Sequence, residues 1–142
     1  MAVQSKSMVV ELKIPCRPEF VGVARLAILG VASRMPFSYD EVEDIRLAVA
    51  EACTTAVQRA ARAGGTDTSI TITSEIGESA LTIAVVDEVP LTSTPEPEDI
   101  DLGEGVEVEE ISGMLVQLLV DEIKVDTTPE HGTRVQLTKY AG

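Results

Sequence analysis

The sequence predicts an α+β fold, a two-layer sandwich with one mixed sheet and its helices on a single face. Three observations predict it. Apolar residues alternate with period two in five short segments. They recur at helical spacing in three longer ones. The resulting order is β-α-α-β-β-loop-α-β-β, with no internal repeat. Strands in runs and helices in runs favour one sheet covered on one side over alternating parallel units. A length of 142 residues suits a single domain spanning residues 1–142.

The first strand is residues 9–14, where Val10, Leu12 and Ile14 share a face. Pro15 and Pro18 end it. Residues 19–35 form a helix through Phe20, Val23, Ala27 and Ile28, weakened at Gly30 and closed by Pro36. Ser38-Tyr-Asp-Glu41 is a capping box. The helix it opens, residues 39–63, carries Val42, Ile45, Val49, Ala52 and Ala56 on one stripe. Acids crowd its first turns and Arg59 and Arg62 its last, as the helix dipole favours. Gly64-Gly65 terminates it. Strands at residues 68–74 and 81–86 join through a hairpin containing Gly77. Residues 87–105 hold three prolines and many acids, and read as a lid loop. A third helix lies within residues 106–120, using Ile111, Leu115, Leu118 and Leu119. Strands at residues 122–127 and 133–140 finish the chain, with Gly132 in the turn between them.

Composition narrows the function. Apolar residues make up 44% and aromatic residues 3%, with no Trp, so the core is aliphatic. So few rings give no stacking platform for bases. The formal charge of −13 is the wrong sign for nucleic acid or an anionic membrane. It suits a basic protein partner, and equally a role in solubility alone. Cys16 and Cys53 are too few for a disulfide scaffold. Neither a signal peptide nor a membrane-length apolar run is visible, so the cytoplasm is expected.

Three places offer chemistry. Glu51 lies four residues after Leu47 and four before Thr55, on a side that flanks the apolar stripe. A carboxylate there can act as a base at the core margin, or be an ordinary surface Glu. Asp87 follows a strand and opens the long loop, as a ligand contact or a turn residue. Gly132-Thr133 precedes the last strand, and His131 beside it reads as structural. No metal-site spacing, P-loop or nucleophile elbow is present.

Pro18-Glu-Phe-Val-Gly-Val-Ala-Arg-Leu26, Gly30-Val-Ala-Ser-Arg-Met-Pro-Phe-Ser-Tyr-Asp-Glu41 and Ala50-Glu-Ala-Cys-Thr-Thr-Ala-Val57 together resemble one family. It is the anti-sigma-B factor serine kinases of Gram-positive bacteria. Leu119-Val-Asp-Glu-Ile-Lys-Val125 and Gly132-Thr-Arg-Val-Gln-Leu-Thr-Lys-Tyr140 extend the likeness to nearly the whole chain. The resemblance implies a GHKL-type ATPase fold that sequesters a sigma factor. It further implies ATP and Mg²⁺ as cofactors, a serine phosphorylated on an anti-anti-sigma antagonist, and a homodimer. Glu51 matches the family's general base. Thr55 stands where an Asn helps to hold Mg²⁺, and Asp87 where an Asp contacts adenine. The glycines expected after that Asp are Val89 and Leu91, and the phosphate-wrapping segment is reduced to Ser112-Gly113-Met114. Gly132-Thr133 is intact, and Arg25 matches a partner-contacting position. Two other functions remain open: a binding-only regulator of the same fold, and a small ATPase unrelated to transcription.

Overall fold

The chain's computed structural model describes residues 8–64, 67–89, 115–128 and 132–141. Five strands are present: β1 (Met8–Pro15), β2 (Ser69–Ile76), β3 (Ala80–Asp87), β4 (Glu122–Thr128) and β5 (Gly132–Tyr140). They form one sheet in the order β1-β2-β3-β5-β4. Register follows from the alternation of apolar residues. One face carries the rows Leu12–Ile72–Val85–Val135–Val125 and Ser74–Ile83–Leu137–Ile123. The other face carries Thr71, Thr73, Glu75, Thr82, Arg134, Gln136, Lys124 and Asp126. A one-residue slip would exchange the two sets, so the apolar rows fix the pairing.

The expected sheet was mixed, but every neighbouring pair is antiparallel. The helices between β1 and β2 explain the first pair. Two successive helices give the chain three reversals between β1 and β2, so β2 returns against β1. A single crossover helix would have made them parallel.

A 3₁₀ turn at Pro18–Phe20 leads into α1 (Val21–Ala32). Its buried residues are Ala24, Ile28, Val31 and Ala32, while Val23 is 43% exposed. The core-facing stripe is therefore rotated by about one position from that expected through Val23 and Ala27. Ile28, also expected on the stripe, keeps its inward place, so the expected stripe is out of phase only at Val23 and Ala27 within one regular helix. The helix stops short of Met35 because the amides of Arg34 and Met35 bond three residues back, to Val31 and Ala32.

Next is α2 (Tyr39–Arg62), which packs against α1 and β3. Its capping box is formed: Ser38 N–H donates to Glu41 Oε1 at 2.8 Å, and Glu41 N–H to Ser38 Oγ at 3.1 Å. All five residues of the expected stripe are buried, with Ala48, Cys53, Val57 and Ala60 beside them. Gly64 closes the helix at a φ of 76°.

Residues 115–119 are helical. Here Val116 and Val120 face the core, while Leu118 is 81% exposed. The i,i+4 pair, not the Leu115–Leu118 spacing, sets the buried side. Lys139 Nζ donates to the Leu119 carbonyl at 3.1 Å, and Asp121 N–H to the Thr138 carbonyl at 3.0 Å. These bonds tie the helix end to β5. Among the described residues no helix is long and apolar enough to cross a membrane. Residues 90–105 of the expected lid, Gly65, Ile111, Gly113 and His131 lie outside the described residues.

Two predictions test the core. Ile83 is 2% exposed at the centre of β3. Ile83→Ala should cost about 3 kcal/mol in urea unfolding, through lost burial and a cavity. Leu118→Ala should stay within about 0.5 kcal/mol, as an exposed change does. Cys53 is buried, and burial together with neighbouring Cys16 pushes its thiol from 9.0 up to about 12. The thiolate is the reactive form. Cys53 should therefore resist iodoacetamide at pH 8.5 in the folded chain and react on unfolding. Its folded pKa exceeds its unfolded one, so stability should fall as pH rises from about 9 toward 12.

Candidate active site

α2 presents Glu51, Thr55 and Arg59 at successive four-residue steps, so the three lie in one row along the helix. Glu51 and Thr55 are half-buried beside the apolar stripe. Thr55 Oγ1 donates to the Glu51 carbonyl at 2.9 Å. That bond uses the hydroxyl proton and leaves the oxygen's lone pairs able to accept.

The last residue of β3 faces the same row. Asp87 is aligned across the sheet with Ile70, and Ile70 with Ile14. It thus occupies a core-facing position and is 2% exposed. Three donors hold its carboxylate. Arg59 Nη2 forms a salt bridge with Oδ2. Val89 N–H donates to Oδ1 at 3.0 Å, and Thr133 N–H donates to the same oxygen at 3.4 Å. The Val89 bond is the two-residue reach of an Asx turn. Arg59 Nε is buried and has no hydrogen-bond partner among the described residues.

Gly132 explains how β5 comes so close. Its φ is +109°, and a Cβ there would stand 2.2 Å from the Asp87 carbonyl oxygen. Only glycine supplies both that backbone angle and that approach. Gly132 therefore sets the place of the Thr133 amide.

A cavity of about 190 Å³ opens between α2 and the sheet. Its polar lining is Glu51, Thr55, Arg59, Asp87 and Thr133. Val85, Val116, Ile123, Val125 and Val135 form the apolar walls. It is smaller than the roughly 300–1,000 Å³ of a drug-sized pocket and suits one flat ring system. Cys16 adjoins the ion pair: burial and the Asp87 carboxylate push its thiol up, while Arg59 pulls it down. No group of three or more His, Cys, Asp or Glu among the described residues has a metal-holding arrangement.

Four of the expected site residues thus meet at one cavity: Glu51, Thr55, Asp87 and Thr133. Gly132 lies against Asp87 behind the wall. Arg25 is on the exposed side of α1 and does not line the cavity. Gly113 lies outside the described residues. Sequence reasoning missed Arg59, which it assigned to the helix end. The available signal was spacing, since Arg59 continues the row of Glu51 and Thr55 by one more step of four.

Residues 14–139 match the family described as the histidine kinase-like ATPase domain. The chain is also similar to proteins named serine-protein kinase RsbW. That of Bacillus subtilis (strain 168) is 37% identical over 139 residues, covering 92% of this chain and 84% of the relative. That of Bacillus pumilus (strain SAFR-032) is 36% identical over 140 residues, covering 92% and 85%. That of Listeria monocytogenes serovar 1/2a is 36% identical over 138 residues, covering 92% and 86%. With a matching fold, a cavity at the expected place and likeness over most of its length, the chain belongs to the histidine kinase-like ATPase domain family.

Proposed function

We propose that the chain is an anti-sigma factor acting as a serine-protein kinase, transferring a phosphoryl group from ATP to a serine of an anti-anti-sigma antagonist. The observation that carries this reading is the meeting of Glu51, Thr55 and buried Asp87 around one apolar slot. The relatives' shared name, serine-protein kinase RsbW, supports it.

The residues fit a nucleotide and Mg²⁺. The cavity of about 190 Å³ is lined by a carboxylate held by backbone donors. Mg²⁺ typically takes one or two protein oxygens and completes its shell with phosphates and water. Thr55 Oγ1 would supply such an oxygen, with its proton already committed to the Glu51 carbonyl. When bound, Mg²⁺ supplies charge neutralisation on the phosphates. Val85, Val116 and Val135 give the cavity an apolar wall beside Glu51. Glu51 is the general base: its carboxylate takes the proton of the attacking serine hydroxyl as the γ-phosphoryl group moves to that oxygen and ADP leaves. The Thr133 amide and Arg59 hold Asp87 in place for the base edge.

Beyond the cavity, the proposal assigns the chain to the cytoplasm as a homodimer. Its partners are a sigma factor and the antagonist, contacted through surfaces that include Arg25 of α1. The charge of −13 suits steering toward basic partners. A second reading, sequestration without turnover, is favoured by one observation: Arg59 already occupies an oxygen of Asp87.

Single-turnover transfer from labelled ATP to the antagonist tests the kinase. Glu51→Gln should slow transfer by about 100- to 10,000-fold, the usual contribution of a positioned base. Thr55→Asn should raise the rate, and absence of transfer in the unmodified protein with sigma binding intact would establish the second reading. Arg25→Ala should weaken antagonist binding in a titration while changing stability by less than about 0.5 kcal/mol. Unchanged binding would remove Arg25 from the interface.

A further inference from the structure

We propose that two copies of this chain pair through the outer face of the sheet, with β3 of each copy stacked on the two-fold axis and charged residues of the edge strands matched across it. The proposal rests on the reading of the chain as a homodimer and names its interface.

The register sorts this face into rows that run across the five strands. One row has Lys13 at the β1 edge and Asp126 at the β4 edge. The next has Glu11 and Lys124 at the same two edges, and all four are exposed. The middle strand, β3, shows only Val86, Ala84 and Thr82 here, with no charge. Ala84 is buried and Val86 half-buried, yet neither belongs to the core cluster that the helices cover. An uncharged centre within a charged rim is the anatomy of a protein interface.

Symmetry points to a second copy as the occupant. Two such faces with aligned strands are related by a two-fold axis either along β3 or across the strands. An axis along β3 sets each edge strand over the opposite edge strand of the partner, row on row. Lys13 then faces the partner's Asp126, and Glu11 faces the partner's Lys124. Val86, Ala84 and Thr82 meet their own equivalents on the axis, where short side chains let the sheets approach. An axis across the strands would instead set Glu11 against the partner's Glu11 and Lys124 against the partner's Lys124. Like charges so placed are repulsive, and that arrangement is rejected. The roughly 30° between packed sheets shifts the outer strands by a few ångströms, within the reach of lysine side chains. Five strands about 4.8 Å apart and about seven residues long give a face of about 550 Å². Two copies bury about 1,100 Å², above the roughly 1,000 Å² of a specific interface. The helices and the cavity lie on the other side of the sheet, so this pairing leaves both open.

The test is sedimentation equilibrium of the full chain over a range of concentrations. The unmodified protein should be a dimer that dissociates on dilution. Glu11→Lys and Lys124→Glu should each weaken it about 10-fold, because each turns two symmetry-related attractions into repulsions. The double variant restores opposite charges across the interface and should return to within about 3-fold of the original. Within one chain the two residues stand at opposite edges of the sheet, about 19 Å apart by strand spacing, so this rescue acts between copies. Unfolding of a single variant would not be reversed by the second change. Thr82→Arg sets two like charges together on the axis and should give monomers. A dimer unmoved by Thr82→Arg, or single variants that the double does not rescue, would overturn the proposal and leave the homodimer reading standing. A monomer at every concentration would overturn both.

Discussion

Asp87 stands where a core residue would, in line with Ile14 and Ile70 on the inner face of the sheet. A lone ionised carboxylate there would pay a desolvation cost of several kcal/mol. The surrounding chain is arranged to supply donors. α2 brings Arg59, the turn after β3 brings the Val89 amide, and the start of β5 brings the Thr133 amide. The last of these requires Gly132, because any side chain at that position would collide with the Asp87 backbone. One buried carboxylate thus sets the relative placement of α2, β3 and β5 at the end of the sheet where the cavity opens.

The same carboxylate separates what was legible in the sequence from what was not. Local signals were readable: the Ser38–Glu41 capping box, the apolar stripe of α2, and the alternation that builds the sheet rows. These depend on neighbours within a few residues. The antiparallel pairing of β1 with β2 was not readable from alternation, because period two is the same in parallel and antiparallel strands. The phase of α1 was misjudged because all its residues but Arg25 are apolar or small, which leaves the inward side poorly marked, and the 115–119 helix because Leu was weighed above the smaller Val116 and Val120. Glu51, Thr55, Asp87 and Thr133 were identified singly, and the cavity unites them. Arg59 needed a partner 28 residues away to show its role. Such a pairing is a property of the folded chain, and spacing along α2 gave only its direction.

Charge acts differently at the two scales. The chain as a whole carries −13, a field that reaches over roughly a Debye length, about 8 Å at physiological ionic strength. Inside the cavity the decisive cation is one guanidinium held against one carboxylate, shielded from salt by its burial. The long-range field and the local pair therefore act over different distances, and salt screens the first far more than the second.

Val89 shows how the surroundings of Asp87 can change without losing their frame. In the family resembled, a glycine at that position permits close backbone approach. Here the side chain is buried in the hydrophobic core, and no described non-glycine residue has a positive φ. Val89 therefore needs no unusual backbone angle, and its amide still donates to Asp87. The backbone hydrogen bond survives the loss of glycine because an Asx turn asks only for an N–H two residues on. What changes is the side chain itself, which Val89 adds to the hydrophobic core. The frame around Asp87 is thus preserved by backbone donors, which any residue but proline provides. The lining of the cavity is set by side chains, Arg59 and Asp87 among them. Frame and lining are thus carried by different atoms, backbone amides for the first and side chains for the second.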